Sequence, residues 1–127
     1  MGMGEPLANF DQVTEALRRL TDPEWLAFSS RRITVSTAGL VPGIRKLAAS
    51  GLKVRLAVSL NATTDEVRNR IMPINRKYPL AELTAACEEY QRKTDRMMTL
   101  EYILIAGVND ALTETKPLAA LAHRLRA

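Results

Sequence analysis

Val54-Arg55-Leu56-Ala57-Val58-Ser59-Leu60 is the stretch on which the fold turns, a short, nearly continuous apolar run between Gly51 and Asn61. A run this brief predicts a strand, and its near-continuity suits a parallel sheet covered on both faces. On its N-terminal side, Gly51 stands where a left-handed helix cap belongs, and Pro42 near the start of that helix. The helix between them carries Ile44, Leu47 and Ala48. Further back, residues 32–37 (Arg-Ile-Thr-Val-Ser-Thr) are β-branched and short, a second strand. Phe10, Val13, Leu17 and Leu20 recur at helical spacing, with Asn9 and Gln12 as a capping box.

On the C-terminal side, Thr63 and Glu66 form a capping pair for a short helix with Val67 and Ile71, which Pro73 stops. Leu80, Leu83, Cys87 and Tyr90 mark a longer helix, residues 98–105 a third strand, and Gly107-Val108-Asn109-Asp110 a turn. Pro117, Leu118, Leu121 and Leu125 lie on a last amphipathic helix. The order α-β-α-β-α-α-β-α predicts an α/β fold of three parallel strands with flanking helices. The first helix has no strand before it, although Gly2-Met3-Gly4 reads as the loop leaving one, and the last helix has no strand to follow. Three parallel strands alone would leave exposed edges, an aggregation liability. The expectation is one incomplete domain over residues 1–127, a piece of a barrel or open sheet.

The composition fits this: 127 residues, 46% hydrophobic and 25% charged. No apolar run approaches the roughly 18 residues a membrane span needs, and the N-terminus has no signal-peptide pattern. A single cysteine cannot form an internal disulfide, so a cytoplasmic setting is expected. Eighteen Lys and Arg against 14 Asp and Glu permit a polyanionic partner without demanding one.

Ligands of parallel α/β folds gather at the carboxyl ends of the strands. Polar residues fall there: Gly4-Glu5, Ser36-Thr37, Ser59-Leu60-Asn61 and Asn109-Asp110. Loops hold such residues for conformational reasons too. Gly2-Met3-Gly4 does not open a dinucleotide fingerprint, because Leu7 stands where the third glycine would be. The alternative is a tight turn with Glu5 free to accept bonds from an ammonium group and Pro6 fixing the exit. Cys87, on an apolar stripe, reads as a packed thiol. Arg55 and Glu101 read as an ion pair between neighbouring strands, His123 as a solvated helix residue, and Arg31 and Arg32 as structural. Arg68, Arg70, Arg76 and Lys77 cluster around Pro73, either as a solvated basic surface or as an RNA phosphate contact; only Tyr78 is near enough for stacking.

Five blocks carry a resemblance: residues 2–7 (Gly-Met-Gly-Glu-Pro-Leu), 31–39, 56–62, 72–78 (Met-Pro-Ile-Asn-Arg-Lys-Tyr) and 101–110. In order and in register, they resemble the bacterial ribosomal and transfer RNA adenine carbon-2 methyltransferases. The resemblance implies a radical S-adenosylmethionine enzyme with a partial (βα) barrel and a [4Fe–4S] cluster held by cysteine thiolates. It implies that Gly4 and Glu5 hold the methionine end of S-adenosylmethionine, and that Ser36, Ser59, Leu60 and Asn61 contact the rest. It implies 23S ribosomal RNA and transfer RNA as partners, no membrane, and a monomeric full-length enzyme.

The chain departs from that pattern in several places. Cys87 is the sole cysteine, so the Cys-x-x-x-Cys-x-x-Cys run and the methyl-carrying cysteine are absent, as are the accessory domain and the Asn-Leu-Ile-Pro-like strand. Asn61 stands where many members carry His. The chain by itself is therefore expected to be inactive and marginally folded. Two other readings remain open: a part of another radical S-adenosylmethionine or (βα)-barrel enzyme, and a non-enzymatic basic module that binds nucleic acid or a partner through residues 68–77.

Overall fold

The three strands pair in parallel in chain order, β1 (Thr34–Thr37), β2 (Arg55–Ser59) and β3 (Met98–Glu101), in a computed structural model that describes residues 4–127. Gly2 and Met3, read above as part of a strand-exit loop, lie outside the described residues. Five helices follow the predicted order: α1 (Phe10–Thr21), α2 (Val41–Ala49), α3 (Asp65–Ile71), α4 (Leu80–Thr94) and α5 (Thr115–Arg124). Short 3-10 turns occupy Pro6–Asn9, Ser30–Arg32, Pro73–Arg76 and Leu112–Glu114.

The register gives the sheet two unlike faces. Thr34 lies beside Arg55, Ser36 beside Ala57, Ala57 beside Thr99 and Ser59 beside Glu101. Because side chains alternate along a strand, these residues share one face, and it is small and polar. The other face carries Val35, Leu56, Val58, Met98 and Leu100, which pack with Leu7, Val41, Ile44, Leu47, Leu83 and Tyr90. The apolar run in β2 is thus covered by hydrophobic side chains on one face, not two. Ala57, counted as apolar in the sequence, belongs with Ser59 and Arg55 on the polar face and lies outside the main cluster. Each fully buried Leu or Ile of that cluster contributes roughly 1.5–3 kcal/mol. Helices α2 and α4 pack together over the sheet, and Tyr90 donates its hydroxyl to the Val54 carbonyl at 2.7 Å.

Local caps differ from the sequence expectation. Asn9 makes no side-chain cap bond; the Glu5 carboxylate instead accepts the Leu7 N–H at 3.1 Å and caps the 3-10 turn ahead of α1. Thr64 rather than Thr63 caps α3, while Thr63 turns to the Glu114 carboxylate. Gly51 adopts the left-handed conformation expected of it, with φ +78°. Gly43 is required for a different reason. A Cβ there would sit 2.6 Å from Leu7 Cβ, so α2 and the Pro6–Asn9 turn can approach only without one.

The strand ends are shorter than predicted. Residues 30–32 form a turn before β1. β3 stops at Glu101 because competing bonds pull the chain out of the ladder. The Ile103 N–H donates to Asn61 Oδ1 at 2.9 Å, and the Ile103 carbonyl accepts from Asn109 Nδ2 at 2.8 Å. Ile103, Leu104 and Ile105 are left exposed, Leu104 to 73%. Leu118 and Leu121 of the last helix are half-buried and Leu125 beyond it is buried, where its carbonyl accepts the Gln91 amide.

Candidate functional site

At the carboxyl ends of β1 and β2, Gly4, Ser36, Thr37, Ala38 and Ser59 line one cleft of about 70 Å³. That is far smaller than the roughly 300–1,000 Å³ of a site that encloses a ligand, so the cleft grips part of a ligand rather than enclosing one. Ser36 and Ser59 come together because the register places both on the polar face near the strand ends. Neither hydroxyl has a hydrogen-bond partner among the described residues, and neither is a buried orphan, so both are free for a ligand. Gly4 has φ +67° and nothing within 4 Å of the position a Cβ would take, which leaves its backbone open to close approach.

Glu5 does not line this cleft but sits behind it. Its Oε2 accepts from the Thr37 hydroxyl at 3.1 Å and the Ala38 N–H at 2.7 Å, while Oε1 holds Leu7. Thr37 Oγ1 in turn accepts from Gly39 and Leu40 N–H at 3.0 and 3.2 Å, so one relay ties the N-terminal turn to the β1 exit. An ionised carboxylate has about four acceptor positions, so Glu5 retains room for one further donor.

Leu60 and Asn61 lie at the next step of the rim. Leu60 is buried, with its N–H donating to the Glu101 carbonyl at 2.9 Å. Asn61 is left-handed at φ +56°. Its amide touches Met72 Sδ at 3.4 Å and accepts from Ile103, while its carbonyl accepts from Asn109 Nδ2 at 2.7 Å. The side chains of Leu60 and Asn61 do not line the cleft. Asn109 is buried and organises the turn after β3, and Asp110 accepts the Gly107 N–H at 2.9 Å, so this pair shapes the loop.

Arg55 and Glu101 do not pair. Arg55 lies beside Thr34 at one end of β2, whereas Glu101 lies beside Ser59 at the other. No ion pair includes either among the described residues. Glu101 is instead a half-buried carboxylate on the polar face, neighbouring the cleft. Arg31 and Arg32 are exposed, with no side-chain bond among the described residues, so the structural role expected of them is not seen. His123 is exposed, as expected.

The basic cluster divides. Arg70, Arg76 and Lys77 are exposed, but Arg68 is 0% exposed. Its Nε donates to the Leu60 carbonyl at 2.9 Å, Nη1 to Asn75 Oδ1 at 2.9 Å, and Nη2 to the Ala38 and Ser59 carbonyls at 2.8 and 3.1 Å. Burial pulls its pKa below the ordinary arginine value, with the Asp65 carboxylate opposing the shift. Sequence reading missed this role. No helical stripe could have shown it, because α3 ends before Pro73 and Asn75 lies in the turn beyond.

The donor set fits one of the two implied cofactors. Free hydroxyls at Ser36 and Ser59, an open glycine backbone and a carboxylate with a spare acceptor site suit a ligand carrying ammonium, carboxylate and ribose groups, as S-adenosylmethionine does. An iron–sulfur cluster does not fit. Cys87 is buried, and burial pushes its thiol up to about 12. No group of three or more His, Cys, Asp or Glu side chains is placed to hold a metal among the described residues.

Comparison with known proteins gives the family. The radical SAM superfamily pattern matches residues 1–116. The dual-specificity RNA methyltransferase RlmN of Geotalea uraniireducens is 60% identical over 121 residues, covering 95% of this chain and 35% of that protein. A probable dual-specificity RNA methyltransferase RlmN of Akkermansia muciniphila is 51% identical over 127 residues, covering 100% of this chain and 35% of that protein. This chain therefore spans about a third of the length of the curated relatives it matches. A crystal structure of a radical SAM methyltransferase from Sphaerobacter thermophilus superposes with a TM-score of 0.89 at 48% identity, covering 96% of this chain and 36% of that one. The parallel sheet of this chain and these matches place it in one family: it belongs to the radical SAM superfamily.

Proposed function

We propose that this chain forms the S-adenosylmethionine-holding part of an RNA adenine carbon-2 methyltransferase. One observation carries the reading: Ser36 and Ser59, whose hydroxyls have no partner among the described residues, line a common cleft with the open backbone of Gly4, and the Glu5 carboxylate stands behind it against Thr37 and Ala38. The names of the relatives supply the substrate class, RNA, and 23S ribosomal RNA and transfer RNA are the proposed targets. The proposal includes a cytoplasmic, monomeric parent enzyme of which residues 1–127 are an incomplete core domain, with the cluster thiolates supplied by other segments. Among the described residues, no helix is long and apolar enough to cross a membrane.

In this role the bound cofactors supply the radical chemistry, and the chain supplies position. Glu5, already fixed by three protein bonds, offers its remaining acceptor site to the ammonium group. Gly4 allows close main-chain approach, and the two serine hydroxyls donate to and accept from the polar groups that follow. Leu60 and Asn61 set the backbone of the rim. The rival reading, a basic module acting through residues 68–77, loses one of its four cations, because Arg68 is buried, while Arg70, Arg76 and Lys77 stay exposed.

Titrating the chain with S-adenosylmethionine by calorimetry, with ligand-observed NMR as a second readout, tests the reading. Each lost hydroxyl bond costs about 1 kcal/mol, so Ser36→Ala with Ser59→Ala should weaken binding roughly 30-fold. An absence of wild-type binding at millimolar ligand, or a double variant indistinguishable from wild type, sinks it.

A further inference from the structure

Arg68 heads the largest fully buried side chains of the molecule, although it carries a charge and forms no ion pair among the described residues. A guanidinium taken out of water is tolerated only when its donors are met. Here three of the four acceptors are main-chain carbonyls: Ala38, immediately beyond β1, and Ser59 and Leu60, at the end of β2. These carbonyls stand where the parallel ladder runs out, so each needs a donor from elsewhere.

We propose that Arg68 is a positioning residue for the strand-end site: it clamps the exits of β1 and β2 at the separation that brings Ser36 and Ser59 into one cleft. The inference rests on the proposed binding role of that cleft. The planar fork suits this task, because Nη2 alone bridges the two strands by bonding both Ala38 and Ser59. Asn75 holds the fork in place. Its Oδ1 accepts from Nη1, and its Nδ2 donates to Asp65 Oδ1 at 2.8 Å and Asn69 Oδ1 at 2.9 Å. Asp65 Oδ1 also accepts the Leu80 N–H at 2.8 Å, which anchors the clamp to the start of α4. Gly39 makes room, since a Cβ there would lie 3.2 Å from Nη2. An ammonium on a lysine stem keeps the charge but not the three-carbonyl geometry.

The test compares Arg68→Lys with Tyr90→Phe, a control that removes one buried bond at the opposite end of β2 and leaves the rim untouched. Thermal midpoint, S-adenosylmethionine Kd and residue-resolved amide hydrogen exchange are measured on all three proteins. Arg68→Lys should weaken binding by about tenfold, the equivalent of roughly one ligand hydrogen bond, and should speed exchange at residues 38–40 and 60–61. Tyr90→Phe should lower the midpoint yet bind as wild type does. Wild-type affinity in Arg68→Lys, or equal weakening in both variants, overturns the proposal. If Arg68→Lys does not fold, Asn75→Ala, which frees Nη1 and leaves the rim residues unchanged, takes its place with the same expected outcome. A wild-type chain that fails to bind refutes the binding role of the cleft. The clamp is then judged by exchange alone, and rim exchange no faster in Arg68→Lys than in Tyr90→Phe overturns it.

Discussion

Replacing Gly43 with alanine tests how closely α2 and the Pro6–Asn9 turn approach. The added Cβ would meet Leu7 Cβ at 2.6 Å and the Leu7 carbonyl oxygen and Cδ1 at 3.3 Å. Two carbons normally rest about 3.5–4.0 Å apart, so the elements must separate by about 1 Å. Overpacking of this kind costs about 1–3 kcal/mol. Alanine recovers roughly 0.5–1 kcal/mol through its better helix propensity. Taking the middle of each range, the net expectation is a loss of about 1 kcal/mol, which lowers the thermal midpoint by roughly 3–5 °C for a chain of this size. The strain also reaches the cleft, because Leu7 follows the Glu5 carboxylate that holds Thr37 and Ala38. Thermal melts of Gly43→Ala, Leu7→Gly and the double variant form a cycle. Because the offending contact is to a Cβ, Leu7→Gly should relieve it, giving a coupling of about 1 kcal/mol. A raised midpoint in Gly43→Ala, or zero coupling, refutes the reasoning.

Two further outcomes are expected. Alkaline pH should destabilise the fold, because burial raises both the Cys87 thiol, from 9.0, and the Tyr90 phenol, from 10.0, to about 12. Both protons are held more tightly in the folded state, so stability is full below pH 9 and falls towards 12; Cys87→Ala should flatten that fall in melts across pH 8–11. Asn61→Ala should lower stability by roughly 1–3 kcal/mol, from the left-handed cost and the lost bond to Ile103, whereas Asn61→Gly should lose only the bond, a difference that chemical denaturation resolves.

The order of elements was legible in the sequence because short β-branched runs and helical stripes differ in period. The cleft was half legible. Ser36 and Ser59 end apolar runs, and a strand end is where a parallel fold gathers ligands. Arg68 was not, because its partners are carbonyls, and a carbonyl looks the same beneath every side chain. Arginine on a short helix next to Pro73 reads as solvated surface until the strand ends are placed around it. The length of β3 failed for a related reason: Asn61 and Asn109 outbid the ladder from positions 40 or more residues apart. The Arg55–Glu101 pairing failed on register alone, since neighbouring strands meet at their own offsets.

Tyr90 fixes the entrance of β2 through Val54, and Arg68 fixes its exit through Ser59 and Leu60. Between these two anchors the chain has a set length, roughly 3.3 Å per residue. A residue inserted there would buckle the strand or throw its polar side chains onto the helix-covered face. Natural length variation should therefore be barred from residues 54–60 and collect where no side chain spans the ends, as in the exposed segment at residues 22–29.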